Sequence, residues 1–106
     1  MVTDVLETPD RRQLWIRDLE TGRVDSLPAT RGAEDPFWSP TGRSLGYFAG
    51  GALWRVERDG SAPRQLCARA DPGGSWSHEN LILFASEGHP MVVNADGGLC
   101  NAVQGA

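Results

Sequence analysis

The chain reads as short apolar runs separated by turn-forming residues. In QLWIRDL, Leu14 and Ile16 fall on alternate positions with Trp15 between them, and the run ends at ETGR. ALWRVER sets Leu53 and Arg55 on one side and Trp54 and Val56 on the other, then turns at RDGS. SLGYFA ends at a Gly-Gly pair, PRQLCA is another short run, and MVVNADGG closes on an Asp-Gly turn. Alternation with a period of two marks a strand with two distinct faces. NLILFA is instead a nearly continuous apolar run, which predicts an inner strand covered on both faces. Gly or Pro interrupts nearly every window long enough for a helix, so no amphipathic helix is predicted.

The runs recur. QLWIRDLETGRVDSLPATRG lies over ALWRVERDGSAPRQLCARAD without a gap, with Leu14-Trp15 over Leu53-Trp54 and Leu27 over Leu66, an offset of 39. Trp38-Ser39 lies over Trp76-Ser77 at an offset of 38, and Leu45 over Leu81 and Phe48-Ala49 over Phe84-Ala85 at 36, as if two residues drop out of the turn between. A third copy continues with Met91, 38 residues after Leu53. Tetratricopeptide and ankyrin repeats have similar periods but need helical segments that this chain lacks. One unit reads as four short strands, at about 34–38, 44–49, 52–58 and 63–68 in the central copy. Four antiparallel strands per unit of this length make a blade of a β-propeller.

The expected fold is therefore all-β: antiparallel four-stranded blades of an incomplete β-propeller, either a fragment or an open array. Blade one, partial, covers 1–32, blade two 33–69 and blade three 70–106. A blade has two apolar faces and buries them only against neighbours. Trp15, Trp38, Phe48, Trp54, Trp76 and Phe84 recur at matching positions, so they are expected between blades.

The stretch PFWSPTGRSLGYFAGGALWRVERDGSAPRQL resembles the TolB-type, WD-like β-propeller repeat. Pro36, Trp38, Ser39, Pro40, Gly42, Arg43, Leu45, Gly46 and Phe48 fit the first half of that repeat, and Leu53, Trp54, Asp59 and Gly60 the second. The resemblance runs over about 12–104. Thr41 stands where the repeat usually has a turn aspartate, so no role of that aspartate is carried over. Copy one begins at about its second strand. Copy three has SHEN in place of the turn, which reads as the turn being lost. The wording is closest to propellers that follow bacterial serine/threonine kinase domains, although the chain has no kinase motif. Members of the resembled family include periplasmic and other extracytoplasmic proteins, while the sequence itself leaves the compartment open.

Composition narrows the partners. Net charge is −4, and the ten basic residues are all Arg, scattered among acids. Nucleic-acid binding needs a clustered basic face, so it is not expected. The longest apolar run is five residues, too short to insert into a membrane. The N-terminus has neither a basic n-region nor an apolar h-region. Cys67 and Cys100 do not make the framework of a small secreted domain and are expected as two unpaired, partly buried thiols.

Chemical candidates are few. Gly42-Arg43-Ser44-Leu45-Gly46 spells G-x-S-x-G, the nucleophile elbow of serine hydrolases. An elbow has a strand before its serine and a helix after it. Here a Ser-Pro-Thr-Gly turn precedes Ser44 and a strand follows. His89 with Glu79 or Asp71 would give the chain order of a triad, but a hydrolase of that fold needs a parallel sheet and helices. Ser44 is therefore read as a turn-to-strand junction, and the match as fortuitous. Cys67, His78, His89 and Cys100 carry zinc-ligand chemistry, yet zinc sites pair ligands at much closer spacing. The NADGG segment at 94–98 lacks the other acids of a calcium loop and reads as a hairpin turn. No catalytic residue, metal ligand or cofactor site is assigned. Glu34, Asp35, Asp71, Glu87, His89 and Asn94 are polar loop positions that a binding surface would use and that solvation explains equally well.

The function expected is a non-catalytic scaffold that binds a protein or small ligand. The resemblance implies the sensor or interaction part of a larger bacterial protein, TolB-like or kinase-linked, with oligomerisation as the alternative to being a fragment. A second reading is the substrate-gating propeller of a prolyl-oligopeptidase-like peptidase. The flanking reading frame separates the two: a kinase domain upstream, or a hydrolase domain with its own G-x-S-x-G downstream.

Overall fold

The computed structural model describes residues 3–7, 14–18, 20–27, 30 and 32–103. Among these residues eleven strands follow one another: β1 (Thr3–Glu7), β2 (Leu14–Asp18), β3 (Val24–Leu27), β4 (Glu34–Trp38), β5 (Ser44–Ala49), β6 (Ala52–Glu57), β7 (Arg64–Cys67), β8 (Asp71–Trp76), β9 (Leu81–Ser86), β10 (His89–Asn94) and β11 (Asn101–Ala102). There is no α-helix among the described residues. Three antiparallel sheets result, with orders β1-β2-β3, β4-β5-β6-β7 and β8-β9-β10-β11. Each strand pairs with its neighbour in sequence, which is the meander of a propeller blade.

The alternation in the sequence decides which face meets which sheet. Leu45, Tyr47 and Val56 of the second sheet pack with Leu14, Ile16 and Leu27 of the first, backed by Trp38 and Trp54. Phe48 and Leu53, one position out of phase with these, pack with Ile82, Phe84 and Val93 of the third sheet, backed by Phe37 and Trp76. Trp15 joins neither cluster. The Tyr47 and Trp54 rings stack at 6.4 Å, and burial pushes the Tyr47 phenol up to about 12.

The third repeat aligns differently from the sequence expectation. Trp38 pairs with Leu45 and Tyr47 with Trp54 in the second sheet, while Trp76 pairs with Ile82 and Phe84 with Met91 in the third. Leu45 therefore corresponds to Ile82 and Trp54 to Met91, one residue away from the alignments of Leu45 with Leu81 and Leu53 with Met91. A slip of one residue exchanges the two faces of a strand, so the burial pattern selects the register. Nor is the turn lost in copy three. Gly42 N–H donates to Ser39 O at 2.9 Å, and Asn80 N–H donates to Ser77 O at 3.0 Å. The hydroxyls of Ser39 and Ser77 each accept from the backbone N–H that opens the next strand, Ser44 at 3.1 Å and Leu81 at 3.3 Å. Gly42 has φ 72° and Asn80 φ 64°. Asn tolerates this left-handed conformation better than other non-glycine residues, so it fills the position of the glycine.

Two further expectations are corrected. NLILFA is not covered on both faces: Ile82 and Phe84 are buried, but Leu83 is 46% exposed. Among the described residues, no sheet packs on that outer face. Cys67 and Cys100 are not free thiols; they form a disulfide across 33 residues, with Cα atoms 6.1 Å apart. Cys67 ends β7 and Cys100 precedes β11, so the bond joins the outer strands of neighbouring sheets. The strand-level reading had no means of placing those two outer edges side by side.

Gly46 is required by a close approach. The Phe37 ring lies directly over its Cα, and any side chain there would overlap the ring. Gly46→Ala should destabilise the fold by about 1–3 kcal/mol through overpacking, read as a lower urea midpoint. Reducing the disulfide, or changing Cys100 to Ser, should cost about 2–4 kcal/mol. Urea unfolding with and without a phosphine reductant measures this, and the reductant should have no effect on the Cys100→Ser variant.

Candidate functional site

β5 and β6 bring three polar side chains onto the face that meets the third sheet. Ser44 pairs with Glu57 and Gly46 with Arg55 across the two strands. The Ser44 hydroxyl is buried, donates to Glu57 Oε2 at 2.8 Å and accepts from Arg55 Nη2 at 3.1 Å. Arg55 also donates to Glu57 Oε1 at 2.9 Å. Its guanidinium then crosses to the third sheet. It lies 5.0 Å from the Trp76 ring centroid, donates to the Ala95 carbonyl and sits 3.7 Å from Asp96 Oδ1. Arg64 reaches the same carbonyl at 3.5 Å.

The chemistry of this cluster is cohesive. A nucleophile needs a base to accept its proton and an open approach for substrate. Ser44 opens a strand instead of bridging a strand and a helix, its hydrogen is directed at a carboxylate, and that carboxylate is held by Arg55. His78 and Asn94 lie at one end of the β9–β10 hairpin and His89 at the other, because Leu81 pairs with Asn94 and Ser86 with His89. Six residues of strand separate the ends, about 17 Å at the usual rise. Ser44 follows the turn equivalent to Ser77–Asn80, at the end opposite His89. The two histidines also do not converge on one metal, and the cysteines are bonded to each other. Among the described residues, no group of His, Cys, Asp and Glu is arranged to hold a metal ion.

The polar loop residues scatter in the same way. Asp71 accepts from Gly88 N–H at 3.3 Å, and Glu87 lies 3.9 Å from Arg69, both at the His89 end. Asn94 accepts from Asp96 N–H at 2.8 Å, and Glu79 is in the turn at that same end, away from His89. Glu34 and Asp35 belong to β4, where the register with β5 shifts.

What sequence reading missed is a cleft of about 780 Å³ between the first and second sheets. Arg23, Asp25, Ser26 and Leu27 line one side, Arg43 and the Glu57–Ser61 turn line the other, and Ile16 forms part of the floor. The turn is anchored by Arg58 N–H to Arg43 O at 2.8 Å, and the Arg58 guanidinium lies 5.8 Å from the Trp38 ring centroid. Hydrogen bonds from the Ser61 hydroxyl and then its N–H hold the exposed Asp59 carboxyl below its ordinary range. The volume falls within the range of small-ligand pockets. One signal of the Arg55 cluster was available: Arg55 stands where the first repeat has the apolar Ile16.

No family model matches the chain, and no curated protein matches it. Among solved structures it is similar to a protein assigned as TolB in Agrobacterium tumefaciens, with a TM-score of 0.79 and 21% identity. The match covers 94% of this chain and 43% of that one, so the chain spans less than half of its length. The likeness and the three meander sheets define the fold as stacked blades of a β-propeller. No helix among the described residues is long and apolar enough to cross a membrane.

Replacing Arg55 by Ala should destabilise the chain by about 1–3 kcal/mol, because it removes the charge-assisted bonds to Glu57 and to the Ala95 carbonyl at the sheet boundary. Arg55→Met, which fills the volume without the charge, should lose a similar amount, since Glu57 stays behind. A double change of Arg55 and Glu57 to Met and Gln should recover part of the loss. Denaturant unfolding of all three variants checks this.

Proposed function

We propose that the chain is a non-catalytic β-propeller scaffold that binds a protein or a small ligand, and that it serves as the sensor or interaction part of a larger bacterial protein, TolB-like or kinase-linked. The observation that carries this reading is how the polar side chains are used. Of the residues with catalytic chemistry, Ser44 and Glu57 hold the Arg55 guanidinium, and Arg55 bridges to the next sheet. An open feature among the described residues is a charged cleft between blades, which suits recognition better than bond breaking. The likeness in fold to a protein assigned as TolB supports a propeller of binding type. The disulfide supports a compartment that oxidises thiols, such as the periplasm or the cell exterior.

A fluorophosphonate probe tests the non-catalytic part. The protein should show no labelling that depends on Ser44. Labelling of the parent chain that disappears in Ser44→Ala would establish a reactive serine and overturn the assignment.

A further inference from the structure

The packing of sheet on sheet is directional. The second sheet turns Phe48 and Leu53 to the third, where they meet Ile82, Phe84 and Val93. It turns Tyr47 and Trp54 to the first, where they meet Leu14, Ile16 and Leu27. Each sheet thus has a forward face, directed to the sheet that follows in the chain, and a backward face. Two faces have no sheet against them among the described residues: the forward face of the third sheet and the backward face of the first.

The forward face of the third sheet is apolar where its counterpart is not. With Leu45 equivalent to Ile82 and Trp54 to Met91, the positions of Ser44, Gly46 and Arg55 are taken by Leu81, Leu83 and Val92. Leu83 is 46% exposed and pairs directly with Val92, and Ala85 pairs with Pro90 beside them, so the apolar positions are contiguous. A repeat that ends an array carries a polar outer face, and this one does not. At the other end of the stack, Trp15 and Val24 alternate away from Ile16 and Asp25, which face the second sheet. Val24 is also 46% exposed. Trp15 holds the place in the first repeat that Trp54 holds in the second, and Trp54 packs backward onto a preceding sheet.

The two open faces are of the kinds that fit each other, because forward meets backward at both boundaries inside the chain. The same interface therefore continues from one copy to the next. Such a contact is heterologous, and it closes only where the rotation completes a ring. Propellers close with about four to eight blades. Two copies of three sheets supply six, within that range, and three copies supply nine, beyond it. Area points the same way. Four strands about 17 Å long and about 4.8 Å apart present a face of about 300 Å². A closed pair covers four such faces, about 1,200 Å², which reaches the lower bound of a stable specific interface, and an open pair covers half of that.

We propose that two copies of this chain associate head to tail as a closed ring of six blades, the forward face of each third sheet lying on the backward face of the other copy's first sheet. The inference does not rest on the scaffold reading, and either can fail alone.

The test is analytical ultracentrifugation of the 106-residue chain up to about 100 μM. A monomer–dimer equilibrium is expected, with no larger species. Leu83→Glu and Val24→Glu change opposite ends of the stack at exposed positions. Each should keep the strand spectrum in circular dichroism and weaken the dimer by about tenfold or more. Mixing the two variants leaves one interface unaltered and should restore a dimer weaker than that of the parent chain. Leu83→Ser gives the same reading by a smaller change if the glutamate disturbs β9 itself. A parent chain that stays monomeric overturns the ring. A dimer indifferent to Val24→Glu also overturns it, since that would set two third sheets face to face. So does a mass that climbs past the dimer with concentration, the mark of an open array. None of these outcomes touches the scaffold reading, which the serine probe tests separately.

Discussion

A four-stranded antiparallel sheet has two sides, and everything in this chain follows from covering both. The second sheet is the clearest case. Adjacent residues of β5 serve different neighbours: Tyr47 packs toward the first sheet and Phe48 toward the third. β6 does the same with Leu53 and Trp54. At about 25 cal/mol per Å² of apolar surface removed from water, stacking of this kind is the main source of stability for sheets that share no helix. Hydrogen bonding shapes each sheet and contributes little between them. Among the exceptions are the bonds from Arg55 and Arg64 to the Ala95 carbonyl, and the covalent Cys67–Cys100 link crosses the same boundary.

Much of this was legible in the sequence because it is local. The alternation in ALWRVER, the Gly-Gly break after SLGYFA and the recurrence of Leu-Trp fixed strand type, strand spacing and the four-strand unit. The central copy was read almost to the residue, with β4 and β5 matching and β6 and β7 differing by a residue at their ends. Register in the third copy was not legible. After Asn80, NLILFA is apolar at every position, so its composition cannot say which residues face inward, and only pairing with β10 and packing on the second sheet decide it. The SHEN turn was misread for a different reason. Its geometry depends on a backbone conformation that asparagine reaches almost as glycine does, which a search for Gly overlooks.

The candidate site was less legible than the fold. A cleft between sheets is made by residues distant in sequence, Asp25 and Arg58 for instance, whose meeting depends on how two blades stack. The disulfide belongs to the same class of long-range fact. By contrast, the loudest local signal, G-x-S-x-G, falls at a turn-to-strand junction. Ser44 is spent on Glu57 and Arg55, so a motif that is reliable beside a helix has a packing role at the start of a strand.

The turn between β8 and β9 is one residue shorter than the turn between β4 and β5, yet Leu45 and Ile82 keep equivalent places on their strands. The missing residue was absorbed where the chain reverses, and the alternation beyond it was left intact. Such a repeat has a grammar for drift. Turns tolerate the gain or loss of any single residue, whereas a strand tolerates only changes by even numbers, or else its interior and exterior trade places. Copies of one ancestral unit would therefore diverge first in the length of their turns, and an alignment that keeps gaps out of the strands should recover their common origin after most residue identities are gone.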